Sequence, residues 1–330
     1  MPTTDKDSQP QVSVLLPVYN GEEFLEQSIK SVLRQTYTNW QLLCVDNAST
    51  DATSKILKDH KDADNRVTSV RNPSTVSVIE NHNVVAKLVP AGAKYCKILH
   101  ADDALLDSNC LQRMVDLCEA NPAVGLVSAW AQQGELTKGA VTPTSDSVFS
   151  GREIGQRTLA REIYPFLSPS CVLIRADLVR ERPSFYAIDD LHADLDTWLE
   201  LLKITDFGIV QDTLILVRDH PNSVTQKDAK PLNTLIAAHL EMLVKHGPSF
   251  FCEADLAKTL RLRRKHYLEF LSQAWLAGQS AAFWTYHRDR LASLGLALRP
   301  GELLANRLLF AAVNPKKTAY ILRKRRARNS

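Results

Sequence analysis

Short apolar runs alternate with segments of helical periodicity through the N-terminal part of the chain. The runs are VSVLL from Val12, QLLCVD, VTSV from Val67, YCKIL from Tyr95 and GLVSA near Gly125. Continuous apolar runs of this length are typical of strands buried on both faces, and helices between them are typical of parallel crossover connections. The sequence therefore predicts an α/β fold built on a doubly wound, mostly parallel sheet flanked by helices.

Polar clusters follow four of these runs, at residues 17–20, 46–51, 71–72 and 100–103. The carboxyl ends of parallel strands meet at one edge of a sheet, where such folds bind their ligands. The four clusters are therefore predicted to converge on one crevice. Neither GxGxxG after the first run nor GxxxxGKS/T is present, so a glycine-rich loop is not expected to hold phosphates.

Two adjacent carboxylates, Asp102 and Asp103, close the stretch YCKILHADD. Carboxylates at the end of a buried strand are costly to desolvate unless a cation or a dense set of hydrogen bonds compensates them. Such ligands suit Mg²⁺ or Mn²⁺, which take further ligands from water and substrate phosphates. The alternative is that either residue caps the helix indicated by LLDSNCLQRMVDLCEA. The missing glycine-rich loop favours the cation.

A second group of ionisable residues precedes the helical segment WLELL. Its members are Asp189, Asp190, His192, Asp194 and Asp196. A carboxylate at a helix N-terminus is ordinary capping, and capping alone remains an open explanation. The group is larger than one cap requires, however, and a general base facing a bound substrate would use the surplus.

The net charge of the chain is small, because 40 Lys and Arg residues oppose 37 Asp and Glu residues and leave a formal charge of +3. This balance argues against a general nucleic-acid binder. The sequence has no N-terminal apolar segment and no apolar run of about eighteen residues, so a cytosolic protein is expected. Its 6 cysteines lack CxxC or other metal spacing and are expected to be buried free thiols.

The last third of the chain has helical apolar spacing at residues 231–245, 254–278 and 302–326, which predicts a helical subdomain. Its expected core consists of four aromatic residues, Trp275, Phe283, Trp284 and Tyr286. The closing segment joins apolar residues to the basic run RKRRAR, which begins at Arg323 and ends at Arg328. Such a segment suits the surface of an anionic membrane, and a solvated helix end explains it equally well.

Five stretches, in order along the chain, resemble motifs of family 2 glycosyltransferases of the GT-A fold. VSVLLPVYNGEEFLEQSIKSVLRQTY resembles the opening of that family, and VDNASTDAT is similar to its VDDGSTDGT. SVIENHNVVAKLVPAGAKYCKILHADD resembles the stretch ending in the metal-binding DxD, and HADLDTWLELL resembles the acidic segment with the catalytic base. VRDHPNSVT matches the closing motif in which Arg and His precede a Ser. The resemblance covers residues 12–225, and five ordered motifs are highly specific.

This resemblance implies an inverting glycosyltransferase that moves a sugar from a nucleotide-sugar donor, UDP- or dTDP-linked by preference, to a saccharide or lipid-linked acceptor. It implies a divalent cation, Mn²⁺ or Mg²⁺, and a role in surface polysaccharide or lipid-linked oligosaccharide synthesis. The absence of a QxxRW motif favours transfer of a single sugar. Work at the inner face of the cell membrane, as a peripheral protein, is an associated expectation.

The resemblance also divides the chain. A disordered lead-in at residues 1–10 would precede a GT-A domain at residues 11–228, and a helical region with a basic tail would follow at residues 229–330. Within the GT-A domain, residues 11–130 would form the nucleotide-binding half and residues 131–228 the acceptor half. The Gly-, Thr- and Ser-rich stretch QQGELTKGAVTPTSDSVFSG is expected to be a long loop over the crevice or between the halves.

Matching positions imply a role for each site residue. The nucleotide would be held by Pro17, Tyr19, Asp46 and Arg71. The metal would be bound by Asp102, with Asp103 in support, and both would lie against the nucleotide. The catalytic base would be Asp194 or Asp196. The residues closing over the diphosphate would be Arg218, His220 and Ser223. Further candidates within the matching stretches are His100 and Asn83.

The chain departs from the family pattern at several positions. His100 stands where the family often has the first Asp of DxD, and Ala193 replaces a Glu that often precedes the base. Ala48 and Ala52 replace glycines of VDDGSTDGT. If either alanine has a positive φ, the strain would be on the order of 1 kcal/mol and the loop would keep its place with a different shape.

Two hypotheses from other classes remain. One is a catalytically silent nucleotide-sugar-binding protein, which His100 favours and which would bind without turnover. The other is a membrane-associated interaction module, which would depend on the basic run that begins at Arg323 and not on nucleotides.

Overall fold

A computed structural model describes residues 10–138, 146–188 and 190–329. The chain divides into two compact units, Met1–Asp219 and His220–Ser330. The expected lead-in at residues 1–9, the middle of the expected loop at residues 139–145 and Asp189 lie outside the described residues.

The first unit is built on a mixed, mostly parallel sheet whose described strands follow the order β3-β2-β1-β4-β9-β6-β10-β5, with β7 beside β6 and β8 beside β10. The strands are β1 Val12–Val18, β2 Trp40–Asp46, β3 Val67–Arg71, β4 Tyr95–Ile98, β5 Ala104–Leu105, β6 Val124–Gln133, β7 Leu136–Lys138, β8 Val148–Phe149, β9 Val172–Arg175 and β10 Asp206–Leu216. Strand β1 runs parallel to β2 and β4, β2 parallel to β3, and β6 parallel to β10. The antiparallel β9 joins β4 to β6. The predicted fold class is confirmed.

Seven helices of the described residues flank this sheet: α1 Leu25–Leu33, α2 Thr53–Ala63, α3 Val78–Lys87, α4 Cys110–Ala120, α5 Gly151–Leu159, α6 Ala176–Arg180 and α7 Ala193–Leu201. Each of the longer helices buries one apolar face, as Leu25, Ile29 and Val32 do in α1. Helix α3 begins after Ser77, whose hydroxyl accepts the amide of Glu80. The buried residues of α1, α2 and α4 pack with those of the sheet in one apolar core.

Several local expectations were wrong. Asn20 and Glu23 have the spacing of a capping box, which predicts a helix cap at Asn20. Asn20 does not cap α1, however, because that helix begins at Leu25; Asn20 adopts a φ of 47° and its side chain accepts the amide of Thr50. Neither Asp102 nor Asp103 caps α4, because that helix begins at Cys110, several residues further on. The expected long loop also contains strand structure, since β7 pairs antiparallel with the end of β6.

The second unit is helical. Its helices among the described residues are α8 Lys230–Leu232, α9 Thr234–Phe250, α10 Glu253–Ala277, α11 Ala281–Ser293, α12 Glu302–Val313 and α13 Pro315–Asn329, with a π-helical turn at Thr225–Ala229. Phe283 is buried in its core, with Trp284 and Tyr286 partly buried against it, as predicted. Trp275 is 42% exposed instead, and the guanidinium of Arg307 stacks on its ring at 3.6 Å.

The expectation of buried thiols is correct for five of the six cysteines, whereas Cys252 is exposed. Burial raises the pKa of the Cys96 thiol to about 12, which keeps that thiol protonated at neutral pH. Within the described residues, none of the helices is both long and apolar enough to cross a membrane.

Candidate active site

Asp46 anchors one side of the crevice at the carboxyl end of β2. Its Oδ1 accepts the amide of Ser49 at 2.8 Å, and its Oδ2 accepts bonds from the Ser54 hydroxyl and the Arg71 guanidinium. Burial acts to raise the pKa of Asp46, but bonds from Ser49, Ser54 and Arg71 outweigh it and hold the pKa below its usual value. Arg71, at the end of β3, also donates to the carbonyl of Ser49 at 2.8 Å. The ends of β2 and β3 thus share one hydrogen-bond network.

The end of β1 is tied to the same network. The amide of Asn20 donates to the Ser49 hydroxyl at 2.9 Å, and the amide of Gly21 donates to the Thr53 hydroxyl at 2.8 Å. Pro17 lies buried within β1 and does not end it, whereas Tyr19 is 52% exposed just beyond the strand. Three of the four predicted polar clusters therefore do lie together.

The two alanines that replace family glycines differ in conformation. Ala48 has a φ of 58°, in the left-handed region, while Ala52 has a φ of −74° and directly precedes α2. Only the position of Ala48 favours glycine on conformational grounds.

His100, Asp102 and Asp103 form the fourth cluster, beyond the carboxyl end of β4. One possible ligand atom from each residue lies within 4.8 Å of the others. Asp103 is buried, at 2% exposure, with its Oδ2 at 3.8 Å from Nδ1 of His100. Burial raises the pKa of Asp103 and the charge of Asp102 adds to the effect, although His100 opposes it. Two carboxylates and an imidazole are an oxygen-rich donor set that fits a divalent ion.

Arg218, just beyond β10 and distant in the sequence, contacts this cluster. Its amide donates to Oδ1 of Asp103 at 3.0 Å, and its guanidinium donates to the carbonyl of Asp102. The guanidinium also donates to Gln27 at 2.6 Å and lies over the ring of Phe24 at 5.0 Å. Arg218 therefore joins β10, the acidic cluster and α1.

Sequence reasoning missed the residues beneath the cluster. Lys97 is fully buried and donates to the carbonyls of Ile98, at 3.0 Å, and Ser170. The Ser170 hydroxyl in turn accepts the amide of His100 at 3.0 Å. Burial lowers the pKa of Lys97, while the charge of Asp103 opposes that shift. A charged residue inside the apolar run YCKIL was the one available signal.

Asp194 and Asp196 lie in the first turn of α7 but in different environments. Asp196 is fully buried, whereas Asp194 is partly exposed and accepts the amide of Leu195 at 2.8 Å. Burial raises the pKa of Asp194, while the charges of His192 and His100 lower it. The two carboxylates of α7 therefore differ in their access to solvent.

The stretch before α7 is fixed by Asn83. Its amide group donates to the carbonyl of Tyr186 at 3.1 Å, and its Oδ1 accepts the amide of Tyr186 at 2.8 Å. The neighbouring His82, also missed from the sequence, packs edge-on against His100 with ring centroids 5.3 Å apart. Burial lowers the pKa of His82 to about 3, with the charge of His100 contributing, so its ring is neutral near pH 7. Asn83 therefore holds the stretch before α7, and His82 packs against His100.

His220 and Ser223 belong to the second unit, where the amide of Ser223 donates to the carbonyl of His220 at 3.0 Å. They form a turn of their own at the start of that unit.

Comparison with known proteins identifies the family. The family model described as "Glycosyl transferase family 2" matches residues 13–182, which is just over half of the 330 residues. The chain belongs to glycosyltransferase family 2. Its relatives include the putative teichuronic acid biosynthesis glycosyltransferase TuaG of Bacillus subtilis, which is 28% identical over 213 residues covering 61% of this chain and 76% of TuaG.

Two solved structures share the fold. TarS of S. aureus (residues 1–349), in complex with UDP-GlcNAc, superposes with a TM-score of 0.64 at 12% identity, covering 97% of this chain and 92% of that chain. The mannosyltransferase PcManGT of Pyrobaculum calidifontis, in complex with GDP-Man and Mn²⁺, superposes with a TM-score of 0.54 at 16% identity, covering 96% and 88%. At such identities the likeness establishes the fold.

Proposed function

We propose that this family 2 glycosyltransferase moves one sugar, with inversion, from a nucleotide-sugar donor to a hydroxyl of a saccharide or lipid-linked acceptor. The observation that carries the proposal is the group His100, Asp102 and Asp103 beyond the carboxyl end of β4, with the amide of Arg218 bound to Asp103. The name of TuaG supports a role in cell-envelope polysaccharide synthesis, and the inner face of the cell membrane would be the site of action.

The nucleotide would lie against the ends of β1, β2 and β3. Pro17 and Tyr19 would contact the base, and Asp46 would face the base and ribose. Arg71 is already held by Asp46 and Ser49, which would present it towards the nucleotide in a fixed orientation. TarS was solved with UDP-GlcNAc and PcManGT with GDP-Man, which supports a nucleotide sugar as donor; a UDP- or dTDP-sugar is our first expectation.

A divalent cation, Mn²⁺ or Mg²⁺, would be held by Asp102, with His100 beside it and Asp103 in support. When bound, such an ion stabilises the negative charge that develops on a departing diphosphate. The Mn²⁺ of PcManGT supports a metal in this fold. Asp103 is committed to the amide of Arg218, so its role would be to orient the cluster and Arg218.

Asp194 would act as the general base. A sugar hydroxyl is a poor nucleophile at neutral pH, so a carboxylate must accept its proton as it attacks. Asp194 is favoured over Asp196 because it is partly exposed, whereas Asp196 is buried in α7. Arg218 would meet the diphosphate from the same side as Asp102, and His220 and Ser223 would assist from the following segment.

The division of the chain is part of the same proposal. We propose that residues 11–130 hold the nucleotide and residues 131–228 the acceptor. The helical region at residues 229–330 would then contribute to attachment.

Thermal unfolding tests the proposal. The wild-type chain and Asp102→Asn would be heated with UDP, dTDP, GDP or CMP, each with and without Mn²⁺. A ligand at a hundred times its dissociation constant stabilises the native state by about 2.7 kcal/mol, which a melting curve resolves. Asp116→Asn is the matched control, because Asp116 is an exposed carboxylate on α4, away from the cluster.

We expect one nucleotide to raise the melting temperature only with metal, in the wild type and in Asp116→Asn but not in Asp102→Asn. If a nucleotide binds, but no nucleotide sugar loses its sugar in the presence of the protein, and Asp194→Asn leaves the binding unchanged, the catalytically silent protein would be favoured. No response to any nucleotide would refute the transferase assignment of this site.

A further inference from the structure

The exposed side chains of α12 are all apolar. The residues are Leu304, Leu308, Leu309 and Val313, which are 49%, 61%, 59% and 69% exposed, together with the exposed alanines Ala305 and Ala312. At 100° per residue these six positions fill a continuous arc of about half the helix circumference.

The polar residues of α12 are partly buried and contact other groups of the second unit, which is the reverse of a solvated helix; Glu302, at the first position, forms an ion pair with Arg264 of α10. Arg307 stacks over the ring of Trp275 in α10, and Asn306 donates to the carbonyl of Glu302 at 3.0 Å. Phe310, on the same side of the helix as Arg307, is buried. A helix that faced only water would place its charged residues outward, and contiguous exposed apolar patches mark interaction sites.

The charge around this patch identifies its partner. Helix α13 follows at once, and its lysines Lys316 and Lys317 and the residues Arg323 and Lys324 are all exposed. No acidic residue occurs between residues 303 and 329. Two copies of the chain joined through this face would bring their basic helices together, which electrostatic repulsion disfavours. A surface that is apolar within and anionic at its boundary satisfies both features.

We propose that α12 and α13 form a membrane-docking surface that binds anionic phospholipid, with the outward leucines among the acyl chains and the lysines and arginines at the phosphates. Tyr320 is 61% exposed on α13 with Lys324 at 5.7 Å from its ring centroid, an amphipathic pair of the kind found at the headgroup level. The proposal rests on the second unit alone and does not depend on the transferase site.

Co-flotation of the full chain with vesicles tests this surface. The vesicles would contain phosphatidylcholine alone, or phosphatidylcholine with phosphatidylglycerol. The variants are Leu308→Asn with Leu309→Asn, and Lys316→Gln with Lys317→Gln. Ile204→Asn is the control, because Ile204 is a single exposed apolar residue of the first unit, at 70% exposure. Circular dichroism would check that each variant keeps its helix content.

We expect wild type and Ile204→Asn to bind the vesicles that contain phosphatidylglycerol and not those of phosphatidylcholine alone. This binding should weaken as the salt concentration increases. The leucine variant should lose about tenfold or more in partitioning, since it removes buried alkyl groups. The lysine variant should lose about fivefold for each charge. Equal binding to neutral vesicles, or no effect of either variant, would overturn the proposal. So would a wild-type dimer that ignores vesicles and dissociates on substitution of Leu308 and Leu309.

Discussion

Replacing Ala48 by glycine should stabilise the first unit. Ala48 is held at a φ of 58°, a conformation that costs an L-residue with a Cβ about 1–2 kcal/mol and costs glycine nothing. The amide of Ala48 donates to the carbonyl of Asp46 at 2.9 Å, and this bond survives the change. Glycine also loosens the unfolded chain, which costs about 0.4–1 kcal/mol. The net expected gain for Ala48→Gly is therefore about 0.5–1 kcal/mol.

Ala160→Gly separates the two contributions. Ala160 is likewise half-buried, but its φ is −72°, so glycine there relieves no strain and carries the same unfolded-state cost. The difference between the two variants should be about 1–2 kcal/mol in favour of Ala48→Gly. Urea unfolding followed by tryptophan fluorescence measures this difference, since Trp40 and Trp198 are both buried in the first unit.

The reasoning fails if Ala48→Gly destabilises the first unit as much as Ala160→Gly. That result would mean that the loop after β2 stores no conformational strain. Nucleotide binding should be retained in both variants, because neither removes a side chain assigned to the site.

Three further outcomes follow from the site. Asp46→Asn should lower the free energy of unfolding by about 1.5–3 kcal/mol at pH 7. Because the folded state lowers the pKa of Asp46, this difference from wild type should shrink as the pH falls below about 4, where the wild-type carboxylate is protonated as well; urea titrations measure it. Asp194→Asn should lower kcat by about 10²–10⁴-fold and keep the nucleotide-induced rise in melting temperature. Since burial raises the pKa of Asp194, the loss of wild-type kcat/KM on acidification should have its midpoint above about pH 4. His100→Asp should shift the metal-dependent stabilisation by nucleotide towards Mg²⁺, because an oxygen donor replaces an imidazole; an unchanged Mg²⁺ to Mn²⁺ ratio would exclude His100 as a ligand.

Much of the fold was predictable because its signals are local. The apolar runs of β1, β2 and β4 lie within or at the limits of the observed strands, since burial on both faces imposes a continuous apolar sequence. The cap of α1 was misassigned because Asn20 and Glu23 have the spacing of a capping box, yet the Asn20 side chain instead accepts the amide of Thr50, far along the chain.

The candidate site was predictable in part. Asp46, Arg71, Asp102 and Asp103 follow strands, and parallel topology brings strand ends together. Lys97 and His82 were missed, because the residues that they contact, Ser170 and Tyr186 respectively, lie far from them in the sequence. The choice between Asp194 and Asp196 also needed the fold, since their positions on α7 differ by half a turn and only one retains exposure.

The sequence by itself determined the strands β1 to β4 and β6, the helices between them, the family and the polar residues at the ends of β1 to β4, because these depend on neighbours along the chain. Only the tertiary structure decided which distant residues bind each other: the Arg218 amide donates to Asp103, 115 residues away, and the Ser170 hydroxyl accepts the amide of His100, 70 residues away. It also decided that the exposed side chains of α12 are the apolar ones. These contacts depend on which elements pack together. Such packing is selected by the burial of whole faces and by the pairing of polar groups between distant segments, and no local pattern encodes that choice.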